Sequence, residues 1–142
     1  MVHPFAASRT RHRADIRAAD GISRPLNQIV KALVRHGYPA RDQFKVRLAI
    51  EEAVVNSLKH AHHGDRTKVV RIRYHVNAKR IIAEVSDQGP GFDPEAVADP
   101  CDPGNIDRPG GRGVFLMRKF MTRVRYNRQG NSVTLYKRRS AE

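Results

Sequence analysis

The pattern that most constrains the fold is a helix predicted from about Arg41 to His62. Its apolar residues are Phe44, Val46, Leu48, Ile50, Val54, Val55 and Leu58. They surround most of the helix, whereas a surface helix carries a single apolar stripe. We therefore expect this helix to be largely buried inside a layered domain, with Asp42 as a candidate cap at its start and Gly64-Asp65 closing it.

A second, shorter helix is predicted before it. Ser23 is a candidate N-cap, Pro25 suits the first turn, and Gly37 suits the end. After the long helix, Val70–Val76 alternates apolar and basic residues, as a half-buried antiparallel strand does. A hairpin turn at Asn77 leads into a partner strand, whose inward residues are expected to be Ile81, Ala83 and Val85.

The remaining pattern consists of a Gly- and Pro-rich stretch from Ser86 to Gly113, a short helix, and two strands at 123–126 and 132–136. A loop of that length inside a small domain is usually functional. The element order predicts an α+β fold, a two-layer α/β sandwich with helices on one face of an antiparallel or mixed sheet. The other face is expected to be wet and basic because it carries Arg71, Arg73, His75, Arg123 and Arg125.

The composition of the chain limits the classes of partner that it is expected to bind. The chain has 142 residues and a formal net charge of +13, which favours nucleotides, nucleic acid or acidic protein surfaces. No apolar run reaches the ~20 residues that cross a membrane, and no signal-peptide pattern begins the chain. A cytoplasmic protein without membrane contact is expected. The single cysteine, Cys101, agrees with a reducing compartment.

A polar stripe crosses the long apolar helix. Glu52, Asn56 and His60 recur at i, i+4 and i+8 and so share one face. Polar groups in a buried helix need partners. A ligand pocket would use the amide oxygen for a cation such as Mg²⁺ and the carboxylate as a general base. A solvated helix edge explains the same spacing equally well.

Two glycine motifs follow. Asp87-Gln88-Gly89-Pro90-Gly91 comes directly after a strand, where the carboxylate can accept from the amine of a base and the glycines permit close approach. A tight turn with a structural aspartate is the alternative.

The second motif, Gly110-Gly111-Arg112-Gly113, opens a helix. Free N–H groups at a helix N-terminus favour phosphate, and Arg108 and Arg112 add charge. An ordinary glycine-rich connection is the alternative.

In this order the motifs resemble the GHKL ATPase superfamily with its Bergerat ATP-binding fold, and in particular the RsbW- and SpoIIAB-type anti-sigma serine kinases. EEAVVNSLKHA resembles the N-box of that branch, DQGPGFDP its first glycine box, and GGRGVFLMRKFM its second. The resemblance runs from roughly Leu26 to Tyr136. It implies one ATPase domain over residues 1–142, with 1–20 an edge strand or flexible arm and 93–110 a lid over the nucleotide.

The resemblance also implies residue roles. Asn56 would coordinate Mg²⁺ on the ATP phosphates, and Glu52 would be the general base. Asp87 would accept from the adenine amine, in a pocket shaped by Gly89 and Gly91. The phosphates would meet the residues of the second glycine box and its flanking arginine: Arg108, Gly110, Gly111, Arg112 and Gly113. Whether Arg108 or Arg112 meets the γ-phosphate stays open.

The implied function is an ATP- and Mg²⁺-dependent protein-serine kinase and anti-sigma factor. It would phosphorylate a serine of an anti-anti-sigma (STAS) partner and sequester a sigma factor, and the resemblance is compatible with a homodimer. One alternative is a nucleotide-dependent binding switch without kinase activity. A nucleic-acid binder ranks third because Tyr74 and Tyr126 are predicted to face inward, where they cannot stack on bases.

Overall fold

The computed structural model describes residues 12–18, 21–62, 68–91 and 111–141, without the side chains of 60–62, 111 and 112. Five strands and three helices are formed there. The strands are β1 (His12–Ile16), β2 (Val70–Val76), β3 (Arg80–Ser86), β4 (Arg123–Tyr126) and β5 (Ser132–Arg138). The helices are α1 (Ser23–Arg35), α2 (Ala40–Asn56) and α3 (Gly111–Phe120), and a π-helical turn (Ser57–His62) continues α2.

The strands form one sheet in the order β1-β2-β3-β5-β4, and all neighbouring strands are antiparallel. All three helices contribute to one core against this sheet, which confirms the predicted two-layer α+β sandwich. None of the helices in the described part of the chain is long and apolar enough to cross a membrane.

The core joins alternate strand residues to one side of each helix. Ile72, Ala83 and Leu135 are fully buried on the inner face of the sheet. The predicted inward faces of the first hairpin are confirmed, since Val70, Ile72, Tyr74, Ile81, Ala83 and Val85 are all buried. Because neighbouring strand residues point to opposite faces, the hairpin register fixes this whole set at once.

The expectation for α2 was partly wrong. Val46, Ile50 and Val54 are fully buried, but Phe44 is 62% exposed. Its ring meets the ring of Phe120 edge-on, with centroids 6.3 Å apart. In the described part of the chain, α2 is covered by the sheet, α1 and α3, and a strip of its circumference that includes Phe44 faces outward.

Both predicted helix caps were wrong, although Gly37 does end α1. The residue at the cap position of α1 is Ile22 and that of α2 is Pro39, and neither helix has a side-chain cap. Gly37 adopts φ +80°, and its N–H donates to the Val34 carbonyl at 3.0 Å. Glycine adopts this left-handed backbone conformation more easily than any other residue, so it is the usual residue just after the end of a helix.

Asp42 is fully buried and has other partners than the helix start. It accepts hydrogen bonds of 2.7 Å from both the backbone N–H and the hydroxyl of Ser140. The ammonium of Lys137 lies 3.5 Å away. The chain beyond β5 passes the start of α2, so Ser140 and Lys137, not the first turn of the helix, supply the donors to this carboxylate.

The outer face of the sheet is less basic and less wet than predicted. Arg71 pairs with Asp15 at 3.0 Å, and Arg73 pairs with Glu84. Both carboxylates lie directly opposite their arginines on neighbouring strands. Glu84 and Ile82 are only 7% and 6% exposed, so the middle of this face is covered by side chains.

Candidate nucleotide site

A pocket lies between the end of α2 and one end of strands β3, β4 and β5. Its polar lining is Asn56, Ser57, Asp87, Asn131 and Ser132, and its apolar lining includes Ala53, Val85, Tyr126 and Val133. Gly91 and Gly130 complete it. The fold therefore brings the N-box residue Asn56 together with the first glycine motif, although the two are separated by two strands in sequence.

The second glycine motif reaches the same place through Gly113. A Cβ atom on this residue would lie 2.7 Å from Asn56 Nδ2 and 3.0 Å from Glu52 Oε2. Contacts under 3.0 Å are too close, so glycine lets α3 approach α2 at this point. Glu52 and Asn56 lie one turn apart on one face of α2, which explains why both meet α3.

The amide of Asn56 has unused hydrogen-bonding capacity. Its Nδ2 atom is buried and has no hydrogen-bond partner among the described residues. Leaving such a group unpaired costs about 1–3 kcal/mol, so a buried donor on a residue that lines a pocket favours a ligand that accepts from it. The unpaired Nδ2 donor suits a phosphate oxygen, and the amide oxygen of the same side chain is of the type that Mg²⁺ prefers, so Asn56 fits a nucleotide-bound Mg²⁺.

Asp87 combines the two roles that the sequence left open. One carboxylate oxygen, Oδ1, accepts the Gly89 N–H at 2.8 Å, which closes a tight turn. The Asp87 N–H donates to the Asn131 carbonyl at 2.9 Å and ties the turn to β5. Asp87 lines the pocket, and its Oδ2 has no partner in the described part of the chain, so the same side chain shapes the turn and can offer an acceptor.

The glycine turn is clamped by two asparagines that the sequence analysis missed. Asn131 Nδ2 donates to the Gly89 carbonyl at 3.2 Å, and Asn127 Nδ2 donates to Asn131 Oδ1 at 2.7 Å. Asn127 Oδ1 in turn accepts the Gly130 N–H at 2.8 Å. In the sequence, asparagines at these positions predict only a turn between β4 and β5. Nothing in the sequence indicates that this turn contacts the glycine motif at the pocket.

Tyr126 forms part of the pocket wall. It faces inward as predicted, opposite Val133 in the β4–β5 register. Burial raises the pKa of its phenol to about 12, so the side chain stays neutral across the physiological range. Its contribution to the pocket was not foreseen from the sequence, where it reads only as a core-facing strand residue.

We expect Gly91→Ala to destabilise the protein by at least about 2 kcal/mol. Gly91 adopts φ +85°, and a Cβ there would lie 1.8 Å from the Gln129 carbonyl oxygen. Urea unfolding measures the loss. Gly21→Ala is the matched control, since its nearest atom would be 3.6 Å away. Equal unfolding free energies for the two variants would contradict the close approach at Gly91.

The other predicted site residues are placed only in part. Gly111 and Arg112 belong to the first turn of α3, which begins two residues earlier than predicted. The helix N-terminus thus points its free N–H groups from within the second glycine motif. Arg108, Gly110 and the lid at 93–110 lie outside the described residues, as do Cys101 and the side chain of His60.

Comparison with known proteins agrees with this geometry. The pattern of the histidine kinase-like ATPase domain matches residues 17–137. The serine-protein kinase RsbW of Listeria innocua is 32% identical over 99 residues, which cover 65% of this chain and 63% of that protein. RsbW of Bacillus licheniformis is 34% identical over 95 residues, or 63% and 59% of the two chains. The serine/threonine-protein kinase BtrW of Bordetella bronchiseptica is 28% identical over 106 residues, or 72% and 75%.

The match therefore spans less than two thirds of the two RsbW proteins. The family match, in contrast, includes α1, α2, α3 and every strand from β2 to β4, together with the residues around the pocket. It confirms the resemblance inferred from the three motifs. The chain belongs to the histidine kinase-like ATPase domain family.

Proposed function

We propose that this chain is an ATP- and Mg²⁺-dependent protein-serine kinase that acts as an anti-sigma factor. It would phosphorylate a serine of a STAS-type anti-anti-sigma partner and sequester a sigma factor. The observation that carries the proposal is the orphaned amide of Asn56, buried beside Glu52 and Gly113 at the pocket. The names of the similar proteins, serine-protein kinases among them, support the reaction class.

The adenine end of the nucleotide is assigned to the first glycine motif. Asp87 Oδ2 accepts from the exocyclic amine, while its other oxygen keeps the turn closed. Ala53, Val85 and Val133 offer apolar contact to the ring. The clamp of Asn127 and Asn131 fixes the turn before the nucleotide arrives, which reduces the ordering cost of binding.

The phosphate end is assigned to Asn56 and the start of α3. The N–H groups of the first turn of α3 and the positive end of its dipole attract phosphate oxygens. When bound, Mg²⁺ supplies charge neutralisation between the phosphate groups. Asn56 holds this end through its amide oxygen, and Gly113 leaves room between the two helices.

Glu52 is assigned the role of general base. As the oxygen of the substrate serine bonds to the γ-phosphorus, Glu52 accepts the hydroxyl proton. The bond from the γ-phosphorus to the bridging oxygen breaks, and ADP leaves with that oxygen. Positioning and charge stabilisation supply most of the rate in phosphoryl transfer, so the base contributes a part of it.

The test is calorimetric titration of ATP with and without Mg²⁺ on wild type and Asn56→Ala. We expect micromolar binding by wild type, and a variant whose affinity is at least ~10-fold weaker and no longer depends on Mg²⁺. Because the Asn56 amide has no partner among the described residues, its removal should cost the free protein little stability.

Gln28→Ala serves as the control, since it removes an exposed amide from α1. This variant should bind ATP as wild type does. An Asn56→Ala protein with unchanged affinity and unchanged Mg²⁺ dependence would remove Asn56 from the site. A well-folded wild type that does not bind ATP would overturn the whole proposal.

The nucleic-acid alternative loses support from the structure. On the sheet face that was predicted to be basic, Arg71 and Arg73 are paired with carboxylates. Tyr74 is buried, so its ring cannot stack on a base.

A further inference from the structure

A second groove lies at the opposite end of the strands that form the nucleotide pocket. Its walls are the β2–β3 hairpin, the start of β4 and the end of β5, and its cavity volume is about 620 Å³. β3 extends over seven residues between the groove and Asp87. At about 3.3 Å per residue, the two sites are roughly 20 Å apart.

Positive charge is concentrated in this groove. The basic residues that line it, besides Lys137 with its Asp42 partner, are Lys79, Arg80, Arg123, Arg138 and Arg139. None of these five pairs with a carboxylate among the described residues, and none of the described residues that line the groove is acidic. Elsewhere on the sheet, Arg13, Arg71 and Arg73 each have an acidic partner.

One pair in the groove is unfavourable in the free protein. Arg80 and Arg138 lie directly opposite each other in the β3–β5 register. Like charges in this position repel and destabilise a sheet. An anion between them would relieve the repulsion, and this is the second indication of a ligand.

The backbone of the groove is already in place. The Arg139 N–H donates to the Lys79 carbonyl at 2.9 Å, and its Nε donates to the Ala78 carbonyl at 2.6 Å. On the other wall, the Arg138 N–H donates to the hydroxyl of Thr122 at 3.0 Å. Walls that are fixed before binding lower the entropic cost of holding a ligand.

The chemistry of the groove favours carboxylates over nucleic acid. Tyr136 is the only aromatic side chain among the described residues that line it. The guanidinium carbon of Arg123 lies 6.0 Å from the centroid of the Tyr136 ring, so a cation already faces this ring. Guanidinium groups bind carboxylates in pairs of hydrogen bonds, and single-stranded nucleic acids need free aromatic faces for stacking as well as cations, which this groove does not offer among its described residues.

We propose that this groove binds an acidic segment of a partner protein, rich in Asp and Glu, at the same time as nucleotide occupies the pocket. The proposal does not depend on kinase activity. It rests on the cations that have no carboxylate partner among the described residues, on the opposed arginines, and on the distance between the two sites.

The probe is a fluorescein-labelled peptide of ten glutamates, followed by anisotropy at about 150 mM salt so that distant charges are screened. Wild type should bind it with equal affinity in the presence and absence of ATP. Arg80→Ser/Arg138→Ser should bind at least ~10-fold more weakly. The same variant should be at least as resistant to heat as wild type, because the opposed arginines are gone.

Arg24→Ser/Lys31→Ser is the matched control, since it removes the same charge from exposed positions on α1. It should bind the peptide within about twofold of wild type. An equal loss in both double variants would assign binding to the overall charge and overturn the proposal. Tighter binding of a ten-residue oligothymidine, lost in the groove variant alone, would overturn it in favour of nucleic acid. Peptide binding by a protein that fails to bind ATP would sink the proposed function and the simultaneous occupancy, and it would leave the groove as a site for acidic segments.

Discussion

We expect Glu52→Ala to lower the rate of phosphoryl transfer to a STAS-type partner by about 10²–10⁴-fold, the usual contribution of a positioned general base. ATP affinity should change by less than about threefold, since a carboxylate makes no favourable contact with phosphate. Glu52 lies one turn before Asn56 on α2, and its Oε2 lies beside the start of α3. Single-turnover transfer of labelled γ-phosphate to a STAS-domain protein of the same organism measures the rate without the step of product release.

The adjacent carboxylate provides the control for this experiment. Glu51 is also partly buried on α2, but it points about 100° away from Glu52 around the helix. Glu51→Ala should therefore keep the transfer rate of wild type. If Glu52→Ala phosphorylates the partner as fast as wild type, the assignment of the base is wrong. If wild type binds ATP and the partner but transfers no phosphate, the protein is the nucleotide-dependent switch instead.

The second large effect concerns stability. We expect Asp42→Ala to lower the free energy of unfolding by about 3–5 kcal/mol, as breaking a buried ion pair does. Asp42 is fully buried and Lys137 is only 8% exposed, so the ammonium would lose its carboxylate in a place that water barely reaches. The N–H of Ser140 would also lose its acceptor. Urea unfolding at neutral pH gives the difference.

Asp15→Ala is the matched control for Asp42. Asp15 likewise forms ion pairs, with Arg13 and Arg71, but its side chain is 35% exposed, and such pairs contribute about 1 kcal/mol or less. Equal losses in the two variants would mean that burial does not set the strength of the Asp42 pair.

The same aspartate gives the protein an acid-sensitive component. Burial by itself would raise the pKa of Asp42, but hydrogen bonds from Ser140 and the charge of Lys137 outweigh it, so the pKa lies below its ordinary value. The unfolded chain, with a pKa of roughly 3.9, then takes up the proton more readily than the folded protein. This stabilisation is complete above about pH 5 and disappears as the pH falls through the folded pKa. Asp42→Asn should flatten this part of the stability profile.

Local patterns in the sequence determined the elements of this protein. Alternation over Val70–Val76 sufficed for β2 because a strand repeats every two residues, and the i, i+4 spacing put Glu52 and Asn56 on one helix face. The order of the three motifs was enough for the family. These signals are carried by residues that are close in sequence, so no knowledge of the packing was required.

Tertiary structure decided how distant residues meet. The contact of Gly113 with Asn56, the clamp of Asn131 on Gly89, and the burial of Asp42 against Ser140 all join segments that no local rule connects. The same holds for Glu84, whose pairing with Arg73 depends on the register of β2 and β3. This pair lowers the net positive charge of the outer sheet face, which was predicted to be wet and basic. The position of Asp42 at the start of a helix predicted a capping role, but the energy of a buried carboxylate depends on which donors the rest of the chain brings to it.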